Sequence, residues 1–317
     1  MEYQNSVQIG IKEIRDKHFD LIIAASGFEK RCNTLFLNYS FNANKKVAFA
    51  FSEKKNESNH KCNDEFFISK GFELLTISGE ESKDIDVYLN LFLSSLEKDT
   101  IELLIDYSSM TRIWYAKIIN FFASDNVALK NVSIYFSYTP TSFNLPKKNC
   151  PVRFAGSLMQ FEPVRANNKP LALIVGLGID QDKASYLIKK INPVHLTLMY
   201  ADPAFDKKYV ETVLRTNRKL IDSIEIRNLL NYPLADNLLT SQILTDLCLI
   251  LRMRYNVIIA PLGPKVFSLC SLLFSTNYPD VDVWRVSSGA GNTIYDRIPS
   301  NVPVILKAKF VNDEHSY

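Results

Sequence analysis

Histidine and cysteine are scarce in this chain of 317 residues: four histidines (His18, His60, His195, His315) and five cysteines (Cys32, Cys62, Cys150, Cys248, Cys270). The cysteines are odd in number, widely scattered and never in a CxxC pair. They read as reduced thiols of a cytoplasmic protein, not as a disulfide framework. His60 and Cys62 form the one close His/Cys pair, in the polar segment KKNESNHKCND. Two ligands do not make a zinc site, so the segment reads as a solvated loop, and neither a metal nor a cofactor is expected. No apolar run approaches the roughly 20 residues of a membrane span; the stretch around Ile250–Leu262 is broken by Arg252, Arg254 and Asn256. The first residues, MEYQNSVQIGIKEIRDK, hold no apolar signal core. No membrane partner is expected.

An excess of either charge is also missing. Residues 1–150 carry 18 basic and 19 acidic side chains, and residues 151–317 carry 19 and 15. An extended nucleic-acid surface that neutralises many phosphates is therefore not favoured, whereas a small anion in a local pocket is left open. Three signatures are absent as well. There is no GxxxxGK[ST] loop and no GxSxG elbow, and Gly176-Leu177-Gly178 lacks the third glycine of a dinucleotide fingerprint because position 181 is Gln.

What is present is an ordinary globular composition, 47% apolar and 22% charged, with a regular series of short apolar runs. Those of the first half are Leu21–Ala25, Val47–Phe51, Phe72–Ile77, Ile101–Asp106 and Val132–Ser137. Those of the second are Leu171–Val175, His195–Tyr200, Ile224–Ile226, Val257–Ala260 and Val281–Val286. Continuous runs of β-branched and aromatic residues suit strands buried on both faces. The second series starts 150, 148, 152, 156 and 149 residues after the first, in the same order. That constancy predicts a tandem duplication of architecture. Helical segments fill the gaps, so the expected fold is α/β: two tandem Rossmann-like three-layer units with mainly parallel sheets. The expected domains are residues 1–150 and 151–317, with Thr139–Lys169 as the connection. Val152–Phe161 and Val302–Phe310, 150 residues apart, read as counterpart strands.

In such sheets ligands bind beyond the carboxyl ends of the strands. In the first half those places hold Ser26, Gly27, Phe28, Glu29 and Arg31, then Asp106, Ser108, Ser109, Thr111 and Arg112. In the second they hold Gly176 and Gly178, Tyr200 and Asp202, Gly263 and Lys265, and Ser287 in the segment Ser287-Ser288-Gly289-Ala290-Gly291. Small residues let backbone approach a ligand, and helix starts present N–H groups and a positive dipole to an anion. Glycine and serine at such turns also serve as plain turn residues and caps. Arg112 and Lys265 add charge at equivalent positions. Phe28, Tyr107 and Tyr200 are placed to stack on a base. Glu29 and Asp106 read either as an acid/base pair or as ion-pair partners of Arg31 and Arg112. Cys32 reads as a buried helix cysteine or, beside Lys30 and Arg31, as an activated thiol. His195, at a strand start, reads as a packed histidine.

The segments Ala25-Ser26-Gly27-Phe28-Glu29 and Asp106-Tyr107-Ser108-Ser109-Met110-Thr111-Arg112, with Val175-Gly176-Leu177-Gly178 and Pro261-Leu262-Gly263-Pro264-Lys265 in the second half, resemble CARF domains. These are the CRISPR-associated Rossmann-fold sensors of cyclic oligoadenylates. Two such units in one chain are similar to the SAVED sensors of prokaryotic antiphage systems. The chain departs from the family's Gly-Gly-Thr-Lys type of signature, with Ser-Ser-Met-Thr-Arg and Leu-Gly-Pro-Lys in its place. The resemblance implies a sensor of a nucleotide or cyclic oligonucleotide in a defence system. Its ligand would lie between or along the two carboxyl edges of a pseudo-twofold pair. The 317 residues leave no room for a nuclease or protease, so a separately encoded effector is the expected protein partner, and a homo-oligomer is compatible with this. The alternatives are a metal-independent nucleotide hydrolase or phosphodiesterase in the manner of ring nucleases, a glycosyl-transferring enzyme using Glu29 or Asp106, and a non-catalytic scaffold subunit of a defence complex.

Overall fold

The computed structural model describes residues 1–53, 55–56, 58–143, 151–158, 168–289, 298–300 and 302–312. The first part of the chain runs β1 (Glu2–Ile9), α1 (Ile11–Ile14), β2 (His18–Ser26), a 3-10 turn (Lys30–Asn33), α2 (Thr34–Asn38), β3 (Asn42–Phe51), α3 (Ser58–Ser69), β4 (Glu73–Ile77), α4 (Lys83–Ser94), β5 (Thr100–Asp106), α5 (Arg112–Phe122) and β6 (Asn131–Tyr138). Then follow β7 (Phe154–Ser157), β8 (Leu171–Gly176), α6 (Gln181–Ile191), β9 (His195–Ala201), α7 (Lys207–Thr216), α8 (Arg218–Ile221), β10 (Leu229–Tyr232), α9 (Asn237–Arg252), β11 (Asn256–Pro261), α10 (Lys265–Asn277), β12 (Val281–Ser287) and β13 (Val304–Val311).

These elements build two α/β units, one on a seven-stranded sheet of order β1-β13-β6-β5-β2-β3-β4 and one on a six-stranded sheet of order β10-β9-β8-β11-β12-β7. Read from the matching edge, the second order is β7-β12-β11-β8-β9-β10, the first order element for element without β1. Five strands of each sheet are parallel, and the sixth (β13 or β7) joins antiparallel. The duplication expected from spacing is thus present strand by strand. The central strands are the apolar runs of the sequence: Leu21 to Ala24, Leu103 to Ile105, Leu173 to Val175 and Ile259 to Ala260 are fully covered. Neighbouring helices supply the rest of each core. Ile14, Cys32, Leu35, Phe36 and Phe67 pack on the first sheet, and Ala184, Leu187 and Val213 on the second.

Three expectations need correction, and a fourth point is a strand that was not expected. The domain boundary near residue 150 is displaced: one unit comprises Met1–Ser142 with Ile294–Tyr317, the other Phe143–Thr293. The cause is a reciprocal exchange. β7 follows β6 in the chain but pairs with β12, while β13 follows β12 but pairs with β6, with Ile305 opposite Ser137 and Phe310 opposite Val132. An exposed strand edge must be covered, and each sheet is covered by the strand that ends the other repeat. Second, the third strand of the second unit is Leu229–Tyr232, since Ile224–Ile226 falls in turns before it. Third, His60 and Cys62 lie on helix α3, with His60 fully covered, and not in a solvated loop. Fourth, β1 had no forecast because its sequence EYQNSVQI is polar and half exposed, as an edge strand permits. Within the expected connection, residues 144–150 and 159–167 lie outside the described residues.

Candidate functional site

The order of strands reverses between β2 and β5 in the first sheet and between β8 and β11 in the second. That is where ligands bind in open α/β sheets. The two switch points differ in chemistry.

At the second, backbone closes on backbone. The Leu262 and Gly263 N–H groups both donate to the Gly176 carbonyl at 2.8 Å, and Leu177 N–H donates to Met199 O at 2.6 Å. A side chain at Gly178 would stand 2.5 Å from Leu262 O, and one at Gly263 would stand 2.4 Å from Leu177 O. Gly178 and Gly263 are therefore explained by the close approach of the two loops, and the N–H groups expected to cradle an anion serve the protein itself. Lys265 opens α10 behind Pro264. Asp202 donates its N–H to Tyr232 O at 2.9 Å, and burial together with Asp202 raises the Tyr200 hydroxyl's pKa. Ser287 sits in the β12–β7 ladder opposite Phe154. Ala290 and Gly291 lie outside the described residues.

The first switch point gathers charged side chains. Arg31, on the 3-10 turn, is 2% exposed along its side chain, and its Nε donates to Glu29 Oε2 at 2.6 Å. Ser109 Oγ donates to the same Oε2 at 3.3 Å. Burial pulls the guanidinium pKa down, but Glu29 and Tyr138 outweigh it, so Arg31 stays charged. The Tyr138 ring lies 5.9 Å from the guanidinium carbon. Arg31 Nη1 is buried and has no hydrogen-bond acceptor. Glu29 is thus the ion-pair partner of Arg31. Asp106, 2% exposed, accepts from Ser108 N at 3.0 Å and Ser108 Oγ at 2.5 Å, and Thr139 N donates to Ser108 Oγ at 2.8 Å. That serine is a loop clamp. Thr111 caps α5, accepting from Trp114 N at 3.4 Å, and Arg112 is the first helical residue. Of the stacking aromatics, Tyr107 is withdrawn: it is fully buried against Tyr115, Phe136 and Tyr138. Phe28 is half-buried beside Phe51.

Under the edge, Ser26 Oγ donates to Asp64 Oδ1 at 2.5 Å, and His60 Nε2 stands 3.7 Å from Asp64 Oδ2. A nucleophilic serine needs imidazole at its hydroxyl, with the carboxylate behind. Here the carboxylate stands between them, so the trio holds α3 to the sheet. Cys32 is buried, and burial drives its pKa well above the ordinary value, as do Glu29, Asp106 and Asp64. The activated-thiol reading falls, because a thiolate is disfavoured there. Iodoacetamide on the folded protein is expected to label exposed Cys62 and to spare Cys32, Cys248 and Cys270, the last with its thiol pushed up to about 11. Peptide mass mapping reads the result, and labelling of Cys32 as fast as Cys62 would refute the burial argument. His195 is half-buried as a packed histidine, 3.1 Å from Thr197 Oγ1 and 5.4 Å from the Tyr255 ring.

Three residues escaped the sequence reading. Asn63 Nδ2 holds Gly27 O at 2.7 Å and Glu29 O at 3.2 Å. Asn217 Nδ2 holds Gly178 O at 2.9 Å. The two asparagines play one part in the two repeats, and their separation of 154 residues, within the spread of the strand offsets, is the signal that would have found them. Glu53 accepts from Ser78 Oγ at 2.7 Å and from Gly79 N–H at 3.2 Å. Burial raises its pKa, but these bonds outweigh it and lower it.

Among the described residues no group of three or more His, Cys, Asp or Glu is placed to hold a metal ion, and no helix is long and apolar enough to cross a membrane. The chain matches no protein-family model and no curated protein.

Proposed function

We propose that the protein binds a phosphorylated nucleotide at the carboxyl edge of its first sheet, between the loops that follow β2 and β5. The observation that carries this is Arg31: a fully buried guanidinium at the switch point, with one nitrogen lacking an acceptor. A buried cation is costly unless paired and hydrogen-bonded, and a phosphate oxygen is the acceptor that a planar guanidinium matches best. Helix α5 agrees with this reading. It begins with Arg112 and has no acidic residue in its first turn, although a cation there opposes the helix dipole and an anion is favoured. The wider role rests on the resemblance to CARF and SAVED proteins: a sensor of cyclic oligonucleotides in prokaryotic defence, acting with a separately encoded effector.

The test is a thermal-shift panel of linear and cyclic nucleotides on the full chain, with mass spectrometry of small molecules released on denaturation. A ligand at 100 times its Kd stabilises by about 2.7 kcal/mol, which raises the Tm of a unit this size by roughly 5–10 °C. Arg112→Ala is expected to weaken the hit at least tenfold. Lys265→Ala, at the closed second switch point, is expected to change it less than threefold. No shift anywhere in the panel refutes the reading, and unchanged affinity in both variants refutes the site.

A further inference from the structure

We infer that the Glu29 carboxylate is a displaceable occupant of the anion subsite, standing where a phosphate group of the ligand will stand. This rests on the nucleotide-binding reading. Glu29 and Arg31 differ in access: the carboxylate side chain is 22% exposed and the guanidinium 2%. The acid can therefore leave toward water, and the cation cannot. Glu29 Oε2 accepts from Arg31 Nε and Ser109 Oγ, while Arg31 Nη1 goes without an acceptor. A phosphate offers three acceptor oxygens to the same place and can serve all three donors at once. The backbone of Glu29 is fixed independently. Its carbonyl accepts from Cys32 N at 3.2 Å and from Asn63 Nδ2 at 3.2 Å, and its φ and ψ of −78° and 128° are ordinary extended values. Only the side chain has to swing. The exchange replaces one anion with another, so the buried guanidinium is never left alone. Glu29 thereby keeps the empty site neutral and sets the concentration a phosphate must reach to enter.

The experiment compares wild type with Glu29→Gln, which removes the charge and keeps an oxygen acceptor for Arg31. The probe is inorganic phosphate, titrated calorimetrically onto the full chain. Glu29→Gln is expected to bind phosphate at least tenfold more tightly than wild type, and equal or weaker binding overturns the inference. Should that variant fail to fold, crystals of wild type grown with phosphate decide. The expected structure shows phosphate on Arg31 and Ser109 with the Glu29 side chain turned away; phosphate bound while Glu29 stays on Arg31 overturns the inference. A wild type that binds a nucleotide through Arg112, with Glu29→Gln no tighter, refutes displacement alone. No binding of phosphate or of any nucleotide by either protein refutes the site together with it.

Discussion

Truncation of the chain before Val302 is expected to unfold the first unit, although the residues removed lie more than 160 positions beyond its last parallel strand. β13 lies between β1 and β6 and pairs with both along its length. Ile305, Leu306 and Phe310 are fully buried. Burying a large apolar side chain is worth about 1.5–3 kcal/mol, so these three alone account for roughly 5–9 kcal/mol. Domain stabilities are about 5–15 kcal/mol, so the loss consumes most of what holds the unit together. It also bares the edge of β6, a template for aggregation. Calorimetry should show the first unit's transition missing, and limited proteolysis should cut within residues 10–138. Phe310→Ala is expected to cost about 3–5 kcal/mol, while Val7→Ala, on the half-exposed edge strand, stays within about 0.5 kcal/mol. A truncated chain with two intact transitions would mean that the exchange of strands carries no stability.

Across the Glu29–Arg31 pair, stability and binding are expected to move in opposite directions. Glu29→Ala takes the paired carboxylate from a guanidinium that is 2% exposed, and breaking a buried pair in this way costs about 3–5 kcal/mol. Arg31→Met leaves a carboxylate that can turn to solvent and puts an apolar side chain of similar length in the buried position. Its cost is expected to be below about 2 kcal/mol, since apolar replacements for buried ion pairs are commonly near neutral. Urea denaturation ranks the two. Binding ranks them the other way: Glu29→Ala opens the subsite and binds phosphate more tightly, whereas Arg31→Met loses the guanidinium and binds at least tenfold more weakly. Equal stabilities would show that the guanidinium is solvated after all, and unimpaired binding by Arg31→Met would remove Arg31 from the site.

Much of the candidate site was legible because loop chemistry follows from position. Once strands are assigned, the residues at their carboxyl ends follow, and Ser26, Glu29, Arg31, Asp106, Ser109 and Arg112 all fall at that edge. What each residue does there was not legible. Gly178 and Gly263 have the composition of an anion cradle but serve the contact of two loops. Ser108 and Thr111 look like ligand hydroxyls but bind their own loop and helix. A small or hydroxylated residue suits both uses equally, and only the direction of its neighbours separates them.

The sequence alone determined the central strands of both sheets and their repetition. Continuous apolar runs of four to six residues rich in β-branched and aromatic side chains suit strands covered on both faces, and their order at near-constant spacing points to two copies of one sheet. Helix α3 escaped because its residues are mostly polar and its covered face includes His60 and Asn63, which hydropathy does not flag, beside a lone fully covered Phe67. Which sheet receives β7 and which receives β13, and the pairing of Glu29 with Arg31, were decided by the tertiary structure. A strand's hydrogen-bonding groups are the same in every sequence, so its own residues fix that it will pair but not with which edge. A carboxylate meets a guanidinium two residues away only when the intervening turn folds both toward one crevice.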